Sequence, residues 1–273
     1  MADLTPANQN PRYILMTLYG EQEGGSIDRD LHNRNRAAWN AWACQRLTDQ
    51  EQLSLEKTAG LKTGELGAWG ERKAEILRLH EETWLARNGA EGSWPGVPNI
   101  VDDVDMTKIA FSNTVELERA IFIGDALFDG AQFNVRASFH ATLFRGEAFF
   151  DGAVFSGLTS FESVEFSEHV GFDAAQFNNR VQFESVQFNG TVYFGTVRFN
   201  WGAGFEFARF KEGANFPEAQ FSGFTSFYSA QFSGFTNFQQ ATFVAGNEEK
   251  GGVSFKDCQF EKPTSFRDAG FLT

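Results

Sequence analysis

Phenylalanine is missing from the first 110 residues of this 273-residue chain, although the whole chain holds 32. Five of the six tryptophans (Trp39, Trp42, Trp69, Trp84, Trp94) lie before residue 100, so the absence marks a change of composition and hence of architecture. Cysteine is scarce too. Cys44 and Cys258 have neither the number nor the spacing of a disulfide framework or a zinc site, and both are expected to be reduced packing residues. No apolar stretch approaches the ~20 residues of a membrane helix, and Met1-Ala2-Asp3 lacks the basic and apolar regions of a secretory signal. The expectation is a cytoplasmic chain with no membrane span. Basic residues number 23 against 36 acidic, a formal charge of −13, which disfavours direct nucleic-acid binding and anionic membrane surfaces because both require positive charge. The four histidines share no metal-ligand spacing, and no Walker loop, dinucleotide fingerprint, nucleophile elbow or zinc motif occurs. The reading is therefore non-enzymatic: no catalytic residue, no cofactor and no metal.

What is present is a packed composition, 42% apolar and 22% charged. Upstream, Asn10-Pro11 offers a cap and a first-turn proline for a short helix ending near Gly20. From Asp28 to Leu47, Leu31, Ala38, Trp39, Trp42 and Ala43 recur at helical spacing. Thr48 with Glu51 makes a capping box, and a further helix runs from about Leu66 to Gly89. The Gly- and Pro-rich stretch from Gly89 to Pro98 reads as a connector. The predicted division is a small helical N-terminal module over 1–99, followed by a second domain over 100–273.

Downstream, Phe stands at 128, 133, 139, 144, 150, 155, 161 and onward to 243 in steps that alternate 5 and 6 without a lapse. Phe122, Leu117, Phe111 and Met106 extend the series upstream; Phe255, Phe260, Phe266 and Phe271 extend it after one insertion. An eleven-residue period suggests a right-handed coiled coil, but Phe residues 5 or 6 apart would point to opposite sides of a helix. A straight strand fails as well, because a step of 5 sends alternate side chains to opposite faces. Keeping every Phe inside requires the chain to turn a corner in each unit, which makes a solenoid wound from short extended sides. Two residues before each Phe stands a small or β-branched residue such as Ala126, Ala137, Thr142, Val164 or Val181, able to point inward beside the ring. Gly130, Gly146, Gly152, Gly157, Gly190, Gly213, Gly223 and Gly234 follow the rings where tight corners are expected.

Units such as Phe128-Asp129-Gly130-Ala131-Gln132-Phe133 and Phe216-Pro217-Glu218-Ala219-Gln220-Phe221 resemble the pentapeptide-repeat family in a Phe-centred variant, over roughly residues 104–273. The resemblance implies a mainly β fold, a right-handed quadrilateral β-helix with Phe stacked in interior columns. The 5/6 alternation departs from strict five-residue spacing and gives about seven coils of 22 residues, a rod ~35 Å long at ~4.8 Å per coil. Residues 244–252 are expected to form an extruded loop. The helical module can cap the first coil, and the uncapped last coil is a place for a homodimer or a partner.

With a 22-residue coil, residues 22 apart become neighbours. Glu162, Glu184 and Glu206 then form a ladder between His140 and Tyr228, with Arg180, Arg198, a bound cation or a basic partner as candidates to relieve their repulsion. Asp151 and Asp173 form a shorter one. Among aromatics outside the pattern, Trp201 and Phe224 should share a corner, Phe207 should lie near Tyr228 at another, and Phe235 should sit on a third. With the Glu ladder, these residues are the possible interaction surface. The leading functional reading is a structural scaffold that binds a protein partner of unknown identity. The alternative follows from the resemblance: members of the family mimic DNA and bind type II topoisomerases. Residues 100–273 hold 22 acidic and 12 basic side chains, about half the charge density of a duplex.

Overall fold

The computed structural model describes residues 4–23, 26–89, 93–100, 103–244 and 252–272, and in it the Phe period becomes a parallel β-solenoid. Each coil has four sides, and the first is made of β2 (Val104–Asp105), β3 (Ile109–Phe111), β4 (Val115–Glu116) and β5 (Ile121–Phe122). These strands open four parallel sheets, called sides 1 to 4 below; sides 3 and 4 cross seven coils, and sides 1 and 2 continue into an eighth strand. The register is 22 residues: Phe133 pairs with Phe155, Ala137 with Thr159, and Ala148 with Val170. It becomes 28 in the four pairings that span the insertion, from Thr225 with Val253 to Thr242 with Gly270, and the extra residues fall in the connection from side 2 to side 3. Residues 245–251 of the expected loop lie outside the described residues.

The interior is filled by phenylalanine. Rings one coil apart stack nearly parallel, as in Phe139 on Phe161 (4.8 Å, 3°) and Phe150 on Phe172 (5.0 Å, 5°). Columns from sides 1 and 3 meet edge to face across the middle, as in Phe139 with Phe150 (5.6 Å, 84°). Both geometries suit the ring quadrupole and add about 0.5–1.5 kcal/mol per pair beyond burial. The small residues two places earlier, among them Ala126, Ala137, Val164 and Val181, are fully buried beside the rings.

The corners come in two kinds. Between sides 1 and 2 and between sides 3 and 4 the chain turns through one left-handed residue per coil, with φ of 52–65°. Thirteen of these fifteen residues are not glycine; only Gly130 and Gly152 are. At the other two corners glycine alternates with other residues, and where Gly146, Gly157, Gly190, Gly223 and Gly234 stand the reason is different, close stacking of backbone on backbone. A Cβ on Gly223 would fall 2.1 Å from the carbonyl oxygen of Trp201, and one on Gly157 2.4 Å from that of Val135. The sequence reading assigned all these glycines to tight turning; only Gly130 and Gly152 serve that purpose.

The helical module closes the first coil. It comprises α1 (Pro11–Met16), α2 (Arg29–Ala43), α3 (Asp49–Ala59) and α4 (Trp69–Asn88). Asn10 caps α1, Asp28 caps α2, the Thr48–Glu51 box is formed reciprocally at α3, and Gly60 ends α3 in the left-handed region. The first helix is shorter than its apolar run suggests: the Thr17 hydroxyl donates to the carbonyl of Tyr13, in the last turn. Its core is continuous with the solenoid core through Trp39, which packs on Phe122 at 5.3 Å, and Tyr13, which meets Phe111 at 5.4 Å.

Candidate functional site

A solenoid end exposes backbone donors and acceptors on every side, and here each side receives a different substitute for the missing coil. On side 2 the substitute is a strand: β1 (Thr5–Pro6), which precedes the helices in sequence, pairs in parallel with β3. On side 4 consecutive residues of α2 complete Ile121, whose N–H donates to the Asn40 side-chain oxygen (2.9 Å) while its carbonyl accepts from the Trp39 indole (3.0 Å). The other end of the Asn40 amide donates to the Arg119 carbonyl at 3.1 Å. On side 1 the Asn10 amide donates to the Asp105 carbonyl, and on side 3 Gln22 bridges Thr114 in antiparallel fashion. The sequence reading anticipated a cap but not β1, which is two residues long and carries no pattern.

Buried polar groups lock this cap. His80 is fully buried; its Nε2 lies 2.9 Å from the Pro11 carbonyl and its Nδ1 accepts from the Trp94 indole at 2.9 Å, an arrangement that fits neutral imidazole. Burial holds its pKa below the ordinary value. Burial, with Arg36 nearby, pushes His32 down to about 4. Glu56, also buried, accepts from the backbone N–H groups of Gly64 and Leu66 and so fixes the turn into α4. The two cysteines are free thiols, and burial pushes Cys44 up to about 12.

Cavities are small where the cap meets the coil. The one lined by Tyr13, His32, Phe111 and Glu116 holds about 20 Å³, the space of a single water. An open cleft of about 570 Å³ lies between α2 and residues 60–65, beside Arg119. Its Arg36 is engaged by Glu65 at 3.2 Å. Among the described residues no three His, Cys, Asp or Glu side chains converge as metal ligands.

On the rod, the Glu ladder lies on the corner between sides 3 and 4. Its register continues Glu162, Glu184 and Glu206 to Tyr228 and then Lys256, with His140 3.9 Å from Glu162 at the other end. Lys256 sits over the Tyr228 ring at 5.7 Å, and Phe207 meets Tyr228 edge to face at 5.5 Å. Phe207 holds φ of 58°, an uncommon conformation for a bulky side chain, in a column otherwise occupied by Arg119, Ala141, Ser163, Ser185, Ser229 and Asp257. Arg180, immediately before the side 3 strand, and Arg198, on the side 2 strand, were expected as partners for the ladder but stand instead at another corner. No salt bridge among the described residues joins them to it.

The Asp ladder has three members rather than two. Asp129, Asp151 and Asp173 line the corner between sides 1 and 2, and each carboxylate accepts the N–H of the residue one coil on, respectively from Asp151 (3.2 Å), Asp173 (2.8 Å) and Gly195 (2.5 Å). Partial burial raises the pKa of Asp129 and Asp151, against the lowering effect of these bonds. Trp201 and Phe224 lie in adjacent coils on the corner between sides 2 and 3, both exposed, while Phe235 is alone on the corner between sides 4 and 1. Two exposed apolar residues on the same corner, each three coils from Trp201 or Phe224, were missed, Val135 and Leu158. Stepping by 22 or 23 residues from Trp201 and Phe224 would have found them.

No family model, curated protein or solved structure matches this chain.

Proposed function

We propose that the chain is a non-enzymatic scaffold whose rigid solenoid presents side chains at coil pitch to a protein partner. The observation that carries this is the division between inside and outside. Every coil from Phe122 to Phe243 repeats the same buried rings, while the corners differ from coil to coil. A filled interior leaves no channel for a substrate, so what the fold can vary is its surface. The alternating 5/6 spacing and four-sided coil support reading it as a Phe-centred member of the pentapeptide-repeat family, working in the cytoplasm. No described helix is long and apolar enough to cross a membrane.

A second reading, mimicry of DNA toward a type II topoisomerase, is favoured by the carboxylate ladders on two diagonally opposite corners. Arginines on the corner between them count against a phosphate-like surface. Site-specific photocrosslinking in cells, with the reactive group placed in turn at positions 184, 224 and 235, tests the scaffold reading. Crosslinks to a protein other than a topoisomerase support it, a topoisomerase at position 184 favours mimicry, and the absence of protein crosslinks at all three overturns both.

A further inference from the structure

Charge is segregated around the rod. The corners between sides 1 and 2 and between sides 3 and 4 carry the carboxylates, Asp129, Asp151 and Asp173 on one and Glu162, Glu184 and Glu206 on the other. The edge between sides 2 and 3 is the reverse. Across five successive coils, 132–138, 154–160, 176–182, 198–204 and 220–226, it contains no carboxylate and three exposed arginines, Arg136, Arg180 and Arg198. No salt bridge among the described residues engages those arginines. On the same edge stand four of the molecule's exposed large apolar side chains: Val135 at 39%, Leu158 at 54%, Trp201 at 66% and Phe224 at 47%. In a chain of net charge −13, this edge is locally basic and apolar.

We infer that this edge is a docking surface for an acidic amphipathic segment of a protein partner, its apolar face on Leu158, Trp201 and Phe224 and its carboxylates on the three arginines. The inference rests on the scaffold reading and adds the chemistry of the partner to it. Charge selects the occupant. A second copy placed edge to edge would bring six arginines together with no carboxylate between them, and like charges directly opposed are unfavourable. Single-stranded nucleic acid would stack on Trp201 and Phe224, but Val135 and Leu158 offer no stacking face, and three arginines are few against the field of an acidic chain. An acidic peptide meets both components of the edge, and aromatic residues with arginine are the types that dominate protein interfaces. Dimensions agree. Four coil steps at ~4.8 Å span ~19 Å, the length of a helix of about 13 residues.

The test uses the whole chain and a fluorescent helical peptide of roughly 14 residues with Leu and Phe on one face flanked by Glu. A Lys-for-Glu version and an oligothymidine strand serve as competing probes. Trp201→Ser with Phe224→Ser should weaken binding of the acidic peptide at least tenfold. Replacing Arg136, Arg180 and Arg198 by Glu should abolish it and transfer preference to the Lys peptide, while Phe235→Ser, on the opposite corner, should change affinity less than twofold. All these positions are exposed, and unchanged melting temperatures show that the variants fold. Failure to bind the acidic peptide, equal affinity for the Lys version, tighter binding of oligothymidine, or equal loss on Phe235→Ser overturns the inference. Photocrosslinking at positions 224, 184 and 235 separates the two levels: protein crosslinks from 184 or 235 but not from 224 overturn the docking edge and leave the scaffold, and none from any position overturns both.

Discussion

The helical cap and the solenoid solve the same problem, satisfying backbone hydrogen bonds, by opposite means. In the rod one solution is repeated: each coil supplies the donors and acceptors that its neighbour lacks, and a column of rings fills the space inside. In the cap every bond is individual. A two-residue strand, the Asn40 amide, the Trp39 indole and an Asn10 side chain each replace one piece of a coil that is not there. Repetition makes the rod tolerant of sequence change outside its columns. The cap, in contrast, depends on single residues whose loss leaves a buried group without a partner.

The largest effect is expected from Phe183→Asp, which places a carboxylate between Phe161 and Phe205 and should abolish folding as seen by circular dichroism; a soluble, cooperatively melting variant would break the picture of continuous ring columns. Removing residues 1–99 should expose the first coil's edges and rings and produce aggregates in light scattering. A monodisperse product would show the rod closes itself. Within the rod, Gly223→Ala should cost several times more than Gly152→Ala, because a Cβ at 223 meets backbone at 2.1 Å whereas position 152 has open space and Ala174 already occupies the same column. The second change should cost about 1 kcal/mol by denaturant melting, the ordinary penalty of a left-handed non-glycine residue. Equal costs would erase the distinction between the two kinds of corner.

Acid should separate the regions. His32 and His80 have depressed folded pKa values, so their neutral, buried forms contribute fully above about pH 6.5 and lose ground as pH falls below it, for His32 toward about 4, because the unfolded chain binds the protons first. Asp129, Asp151 and Glu116 have raised values from burial, and their contribution has the other sign, growing as pH falls through the carboxylate range. Tryptophan fluorescence, dominated by the cap, should therefore change between pH 6.5 and 4 before the β-sheet signal does. Coincident transitions would argue that the two regions melt as one. The smallest effect is expected from replacing Glu162, Glu184 and Glu206 by Gln, which should leave the melting temperature unchanged or slightly raised; a loss would point to a bound cation or an ordered network.

The rod was legible because its pattern is redundant: some thirty rings agree on one period, and a period of 5 and 6 has a single geometric solution. From the period also followed the Glu ladder, the pairing of Phe207 with Tyr228 and the shared corner of Trp201 and Phe224. What escaped was set by contacts without periodicity. Thr5–Pro6 gives no strand signal, Asn40 reads as one polar residue on a helix, and the role of Gly223 depends on a carbonyl one coil away. The docking edge lay between these cases: its members are on the 22-residue grid, but Val135 and Leu158 look ordinary until the corner is seen as a line.

Amide hydrogen exchange resolved by residue, on the intact chain and on Asn40→Ala, tests most directly the claim that the cap supplies the coil the rod lacks. The Ile121 amide and its immediate neighbours should exchange at least tenfold faster in the variant, with protection kept from Phe144 onward. Unchanged exchange at Ile121, or loss of protection through every coil, would contradict the account.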